Sequence, residues 1–169
     1  MTSSQAEVDP LTIALGCDHA GYSMKQLLKE HLGSLGYTLL DFGTFSEEPT
    51  DYPLYCAPAA EAVAKGAANL GIVIGGSGQG EQIVANKVHG IRAALCYNEL
   101  SAQLARRHNN ANVLALGARL LGVELAISIT DAFLAAAYEG GRHDRRLELI
   151  REVEEGASLL LEEPKLQGL

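Results

Sequence analysis

The sequence predicts an α/β protein, a Rossmann-like three-layer αβα sandwich with a five-stranded parallel sheet. Short apolar runs alternate with longer amphipathic stretches, the pattern of parallel strands joined by crossover helices. At 169 residues the chain is long enough for one well-packed domain and too short for two ordinary ones. Hydrophobic residues make up 47%, and no apolar run approaches the roughly 18 residues of a membrane helix.

The predicted elements follow one another as five strand-helix units. The strands are predicted, in order, at TIALGC (12–17), YTLLDF (37–42), LGIVI (70–74), IRAALC (91–96) and NVLALG (112–117). The intervening helices are predicted at 22–35, 53–65, 81–88, 98–108 and 122–137. Gly36, Gly66 and Gly90 mark helix ends, because glycine readily takes the left-handed conformation that closes a helix.

The two termini extend beyond this core. Residues 1–10 lack the basic region and apolar core of a signal peptide and are predicted to be a disordered leader. A single domain is expected over 11–163, with a helix at about 142–163 appended to the α/β core and packed on a partner subunit. Residues 164–169 are predicted to be a loose tail.

Net charge and cysteine content indicate which partners and which compartment the protein has. A net charge of −8 argues against a general nucleic-acid surface, which needs a basic face. No membrane partner is expected. The chain has three cysteines, Cys17, Cys56 and Cys96, which is an odd number, and their spacing is not that of a metal site. Both features fit reduced thiols in a cytoplasmic protein.

The glycine-rich run GGSGQGEQIVANK (75–87) follows the third strand and matches none of three common loops. A nucleotide triphosphatase loop needs Lys and then Ser or Thr after its last glycine, where this chain has Glu81 and Gln82. The dinucleotide fingerprint needs G-x-G-x-x-G, whereas the glycines here are spaced G-x-G-x-G. A hydrolase elbow needs glycine two residues after Ser77, where Gln79 stands.

Polar side chains gather where the predicted strands end, and ligands of open parallel sheets bind at that edge. The segments are GCDHAG after the first strand, GGSGQGE after the third, RRHNNAN after the fourth helix, GAR after the fifth strand, and RHDRR after the fifth helix. Together with DYP, GIRAAL and DAFL, they resemble the ribose-5-phosphate isomerase B family, in the group that includes galactose-6-phosphate and allose-6-phosphate isomerases. The resemblance covers about residues 11–155, in the order of the family.

The resemblance implies interconversion of ribose 5-phosphate and ribulose 5-phosphate, a reaction of the pentose phosphate pathway, through a cis-enediolate without metal or organic cofactor. One branch of the family has a base cysteine at the first loop position, which is Gly75 here, and the other has a glutamate after the loop. Glu81 is therefore expected to be the base. Backbone N–H groups at Gly76, Ser77, Gly78 and Gly80, with the Ser77 hydroxyl, are expected to bind the enediolate.

The remaining roles also follow the family. His108 is expected to open the sugar ring, with Asn109 beside it, and Asp18, His19 and Tyr52 to contact the substrate. A plainer role for Asp18 is to cap the helix that starts near Tyr22. The phosphate is expected to bind to three arginines, because guanidinium groups form bidentate pairs with it: Arg119, Arg142 and Arg146. Arg142 and Arg146 are four residues apart, which places them on one face of a helix.

The resemblance also implies a homodimer with a shared active site, in which His108, Asn109 and Arg119 face the loop and Asp18 of the other chain; dimers of dimers also occur in the group. Other phosphosugars, such as galactose 6-phosphate, allose 6-phosphate or a tetrulose phosphate, remain open as substrates. A phosphosugar-binding module without catalysis is a rival, although binding alone would need neither Glu81 nor His108. A second rival is a metal-dependent hydrolase with Asp18, His19, His108 and His143 as ligands. No two of these residues have close metal-ligand spacing on one element.

Overall fold

The computed structural model describes residues 10–159 and confirms the predicted α/β fold. Five parallel strands form one sheet in the order β2-β1-β3-β5-β4. The strands are β1 (Thr12–Cys17), β2 (Thr38–Asp41), β3 (Leu70–Gly75), β4 (Ala93–Leu95) and β5 (Val113–Gly117). The central strands β1, β3 and β5 are almost wholly buried, as expected for a parallel sheet covered on both faces.

Helices cover both faces of the sheet. They are α1 (Tyr22–Ser34), α2 (Pro53–Ala64), α3 (Gln79–Ala85), α4 (Glu99–Asn109), α5 (Val123–Ala135) and α6 (Asp144–Glu154), the last preceded by a 3-10 turn at Gly141–His143. One core packs α1, α4 and α5 against the sheet around Ile72, Leu114 and Phe133. The other packs α2 and α3 around Ala59, Val73 and Ala115. Within residues 10–159, every helix is too short or too polar to cross a bilayer.

The appended C-terminal helix is present but shorter than predicted. It ends at Glu154 instead of about residue 163, because the chain turns at Gly156, whose φ of +93° is left-handed. Every side chain within Asp144–Glu154 is at least partly exposed, and Glu154 Oε1 accepts a hydrogen bond from Gly90 N at 2.9 Å. The predicted leader, apart from residue 10, and the end of the chain from residue 160 lie outside the described residues.

The helices diverge at the centre of the sheet. The chain leaves β1 toward the face covered by α1, and it leaves the neighbouring β3 toward the face covered by α3. Where adjacent parallel strands send their connections to opposite faces, a crevice opens at their carboxyl ends. This topology places the end of β1 beside the glycine-rich loop.

Candidate active site

A cleft of about 410 Å³ lies at this crevice. Segments from four parts of the chain meet there: the turn after β1, the start of α2, the glycine-rich loop and the turn after β5. The lining residues include most of the predicted site: Asp18, His19, Ala20, Tyr52, Gly76, Ser77, Gly80, Glu81, Arg119 and Leu120. Two carboxyl groups, one imidazole and one guanidinium therefore share a single cleft with the loop.

Glu81 lies in the first turn of α3 and is only 4% exposed. Burial raises the pKa of its carboxyl above the usual value, and the negative charge of Asp18 adds to this rise. Backbone N–H groups of Glu81 and Gly78 oppose it. A buried carboxyl group with a raised pKa in a cleft has the chemical properties of a general base.

Gly75 leaves the space that this carboxylate fills. A Cβ atom added to Gly75 would lie 1.8 Å from Glu81 Oε1 and 2.1 Å from its carboxyl carbon. Gly80 makes similar room on the other side, because a Cβ there would lie 2.6 Å from Cζ of Tyr52. The two glycines let the carboxylate and the tyrosine ring approach the loop backbone.

The loop itself is held by the neighbouring strand. The carbonyls of Gly75 and Gly76 accept hydrogen bonds from Ala118 N at 2.8 Å and Arg119 N at 3.0 Å. Gly78 precedes α3 with a φ of +78°, a conformation that favours glycine. Ser77 Oγ accepts a weak hydrogen bond from Gln79 N at 3.3 Å. These contacts fix the loop before any ligand binds.

Asp18 and His19 are fixed at the end of β1. Asp18 is buried, and its Oδ1 accepts a hydrogen bond from Gly21 N at 3.0 Å, so it supports the turn into α1 while it lines the cleft. Thr50 N donates to His19 Nδ1 at 3.2 Å. The Thr50 carbonyl lies at the same distance from Nδ1, so both backbone groups of Thr50 hold the His19 ring in place.

Arg119 differs from its predicted place. It was expected to face the loop of the other chain, yet its guanidinium lies over Gly76 of its own chain, with Nη1 3.3 Å from where a Cβ would stand. The reason is strand order: β5 pairs directly with β3, so the residues after the two strands are neighbours. Arg119 therefore belongs to the same cleft as Glu81.

The other predicted residues, His108, Asn109, Arg142 and Arg146, form a second cluster at the end of α4 and the start of α6. The His108 ring stacks on His143 with centroids 4.4 Å apart and an interplanar angle of 12°. Asn109 ends α4, where its carbonyl accepts from Arg92 Nε at 3.0 Å.

Arg142 and Arg146, which are expected to bind the phosphate, were predicted to lie on one face of a single helix. The structure instead places them in two helices of different type. Arg142 lies in the 3-10 turn and Arg146 in α6. They still converge, because Arg142 Nε and Arg146 Nη1 are each 3.4 Å from a different nitrogen of His143. The two guanidinium groups therefore flank the buried His143 ring and bring positive charge to this cluster.

Glu139, which the sequence analysis did not single out, joins the second cluster. Its Oε2 lies 3.6 Å from His108 Nε2, and its Oε1 accepts from Arg107 Nε at 2.6 Å. No local pattern marks it, since it lies 31 positions after His108 in the chain. Its one signal is that it directly precedes GGRH, where a chain reversal can return it to the basic segment.

The second cluster also bears on the metal hypothesis. One ligand atom each from His108, Glu139 and His143 lies within 4.8 Å of the others, a spacing that a metal ion could bridge. However, Arg107 already binds Glu139, and Arg142 and Arg146 contact His143, so a cation would meet three guanidinium groups. Asp18 and His19, the other proposed ligands, line the separate cleft. The surroundings favour an anion over a metal ion.

The fold and the cleft define an α/β protein that holds a buried carboxylate against a rigid glycine-rich loop, which suits an enzyme that moves protons on an anionic substrate. The chain belongs to the ribose/galactose isomerase family, whose sequence model matches residues 13–150.

Individual relatives agree with this assignment. Ribose-5-phosphate isomerase B of Escherichia coli K12 is 51% identical over 143 residues, which cover 85% of this chain and 96% of that protein. The Clostridium thermocellum ribose-5-phosphate isomerase B structure superposes with a TM-score of 0.85 at 47% identity, covering 86% of this chain and 98% of the other. The Mycoplasma genitalium structure with bound ribulose-5-phosphate has a TM-score of 0.82 at 40% identity, with coverage of 86% and 97%.

Proposed function

We propose that this protein is an aldose-ketose isomerase that interconverts ribose 5-phosphate and ribulose 5-phosphate through a cis-enediolate. The observation that carries the proposal is the Glu81 carboxylate, buried against a fixed glycine-rich loop. The names of the relatives and the ribulose-5-phosphate bound to the Mycoplasma genitalium enzyme support the substrate.

Glu81 is the base in this proposal. It removes the proton from C2 of the open-chain aldose and returns it to C1, while the hydroxyl proton of O2 passes to O1, so that the carbonyl moves from C1 to C2. The raised pKa of Glu81 supports this role, because a base closer in pKa to the working pH both accepts and returns a proton readily.

The loop stabilises the enediolate that forms between these two transfers. The carbonyls of Gly75 and Gly76 are bound by the segment after β5, so the peptides are held in one orientation. Backbone N–H groups of the loop and the Ser77 hydroxyl then meet the charge on the developing oxygens. The Arg119 guanidinium over Gly76 adds positive charge on the same side of the cleft.

The complete site is assigned to a homodimer. The cleft contains the proposed base and the glycine-rich loop, whereas the second cluster contains His108, proposed to open the ring, and Arg142 and Arg146, proposed to bind the phosphate. A partner subunit would bring its second cluster to this cleft. Exposed apolar side chains beside the cleft, Leu54, Ile83 and Leu120, and the open surface of α6 support such an interface.

Compartment is a further part of the proposal. We assign the enzyme to the cytoplasm, and the state of its cysteines supports this: Cys17, Cys56 and Cys96 are all free and buried. Burial raises the pKa of the Cys17 thiol to about 11, which keeps it protonated and unreactive beside the site.

The proposal is tested by assaying purified protein for conversion of ribose 5-phosphate to ribulose 5-phosphate with a strong chelator present. Glu81→Gln, which keeps the size of the side chain and removes the base, is expected to lower kcat by at least about 10²-fold. An active parent with an equally active variant would show that Glu81 is not the base. A parent that converts only four- or six-carbon phosphosugars would overturn the choice of substrate and keep the reaction class.

A further inference from the structure

The Glu139 side chain is locked in place against the last turn of α4. Its Oε1 accepts from Arg107 Nε at 2.6 Å, and Arg107 Nη2 pairs with the same oxygen. Its backbone N–H donates to the carbonyl of Arg107 at 3.0 Å. With backbone and one carboxylate oxygen both anchored, the second oxygen is directed toward His108 Nε2, 3.6 Å away.

The His108 ring is held on its other side by stacking. His143 lies against it with centroids 4.4 Å apart, and His143 is itself buried. Burial, the charge of His108 and the flanking Arg142 and Arg146 lower the pKa of His143. The lowered pKa favours the neutral form of His143, so the His108 ring stacks on an uncharged ring.

Among the described charged groups around His108, the basic side chains are Arg107, Arg142 and Arg146, and Glu139 is the acidic one in contact. The hydrogen bond from Arg107 lowers the pKa of Glu139 most, the charge of Arg107 acts in the same direction, and burial opposes them only in part. Glu139 therefore remains a carboxylate throughout the range in which histidine titrates.

We propose that Glu139 is a positioning residue for His108, holding the imidazole with a proton on Nε2 so that Nδ1 exchanges protons with the sugar ring. The inference rests on the proposed function, in which His108 opens the ring. A carboxylate that faces one nitrogen of a histidine sets the tautomer and orientation of the ring and stabilises the imidazolium. Such contacts often tighten only when substrate is bound.

The step itself is a proton exchange at the furanose ring. The C1–O4 bond breaks, its electron pair stays on O4, and O4 takes the proton from Nδ1 of the His108 imidazolium. The O1–H bond pair becomes the second bond of the C1 carbonyl, and the O1 proton passes to water. The neutral imidazole that remains has its proton on Nε2, facing Glu139, and regains a proton from water.

An assay that starts from ribulose 5-phosphate measures enediolate formation without the ring-opening step. Its carbonyl is at C2 and its O5 carries the phosphate, so it cannot close a five-membered ring. Exchange of its C1 protons with D₂O, followed by NMR, therefore reports enediolate formation at Glu81 without ring opening. Conversion of ribose 5-phosphate requires both steps.

Glu139→Gln tests the proposal, because the amide oxygen still accepts from Arg107 while the charge beside His108 is lost. We expect the forward kcat to fall by about tenfold or more, within the range for residues that orient a catalytic group, and C1 exchange to change by less than about twofold. In a His108→Gln background, Glu139→Gln is expected to have no further effect.

The control is Glu61→Gln, which neutralises a glutamate paired with Lys65 on α2 and is expected to leave both rates unchanged. Equal slowing of conversion and exchange by Glu139→Gln, or no slowing of either, would overturn the proposal while the proposed isomerase function stands. A parent without isomerase activity would remove both together. If the Gln variant does not fold, Glu139→Asp keeps the charge at a greater distance, and the same two rates decide.

Discussion

Gly75 and Glu81 compete for one volume at the floor of the cleft. A Cβ on Gly75 would overlap the carboxylate, at 1.8 Å from Oε1, although the backbone of residue 75 lies in an ordinary strand. Glycine is therefore needed there for space, not for backbone conformation. A residue with a side chain at position 75 and a glutamate at position 81 would exclude each other.

Gly75→Ala is expected to displace the Glu81 carboxylate and lower kcat by at least about 10²-fold, because the proposed base would no longer face the substrate. The loss of stability should be small, since the end of a flexible side chain can turn aside. The measurement combines kcat with urea unfolding. Gly33→Ala is the control: nothing lies within 4 Å of its added Cβ, and alanine in a helix stabilises by about 0.5–1 kcal/mol. Full activity in Gly75→Ala would show that Glu81 works from another position.

At the scale of elements, a buried ion pair joins α1 to the end of β2. Lys25 is 0% exposed, and its Nζ donates to Asp41 Oδ1 at 2.5 Å and to the Thr44 carbonyl at 2.7 Å. Burial alone would raise the pKa of Asp41, but hydrogen bonds from Lys25 and Lys29 outweigh it and lower the pKa. The pair thus fixes the beginning of the linker that continues to Thr50 and Tyr52 beside the cleft.

Lys25→Met is expected to destabilise the fold by about 1–3 kcal/mol, because Asp41 and the Thr44 carbonyl lose a buried donor while Lys29 still pairs with Asp41. The change is measured as the midpoint and free energy of urea unfolding. Lys65→Met removes an exposed lysine paired with Glu61 and is expected to change stability by less than about 1 kcal/mol. Equal effects of the two variants would mean that the buried pair contributes no more than the surface pair.

At the scale of the whole molecule, the cleft and the second cluster are separate groups of predicted site residues within one chain. Glu81 and the glycine-rich loop line one cleft, while the stacked His108 and His143 with their arginines lie at the end of α4 and the start of α6. A homodimer in which each subunit lends its second cluster to the cleft of the other unites the two. Each complete site would then contain Glu81 from one chain and His108 from its partner.

This arrangement predicts complementation between two inactive variants. Glu81→Gln and His108→Gln are each expected to be nearly inactive, since both would lose a general acid-base group in every site. When equal amounts are unfolded together and refolded, about half of the dimers pair one of each, and each of these has one intact site. We expect about a quarter of the parent activity. Activity no greater than the sum of the separate variants would place Glu81 and His108 in a site made by one chain.

The sequence by itself determined the five strands, the order of strands and helices along the chain, the glycine-rich loop and most residues of its cleft. These depend on local signals: runs of apolar residues of strand length, glycines at helix ends, and the rule that ligands bind where parallel strands end. Asp18, His19, Ser77 and Glu81 were predictable because each directly follows a strand or the loop after it. The motifs that contain these residues also occur in the same order along the chain as in the ribose/galactose isomerase family.

Only the tertiary structure decided which segments are neighbours across the sheet and between helices. The position of β5 beside β3 brings Arg119 over Gly76 of its own chain, which no spacing along the sequence could show. The chain reversal before Arg142 returns Glu139 to His108 across 31 residues. The physical reason is the same in both cases: strand order and helix packing are set by burying apolar faces along the whole chain, so contacts between distant residues follow from the complete fold and not from local sequence.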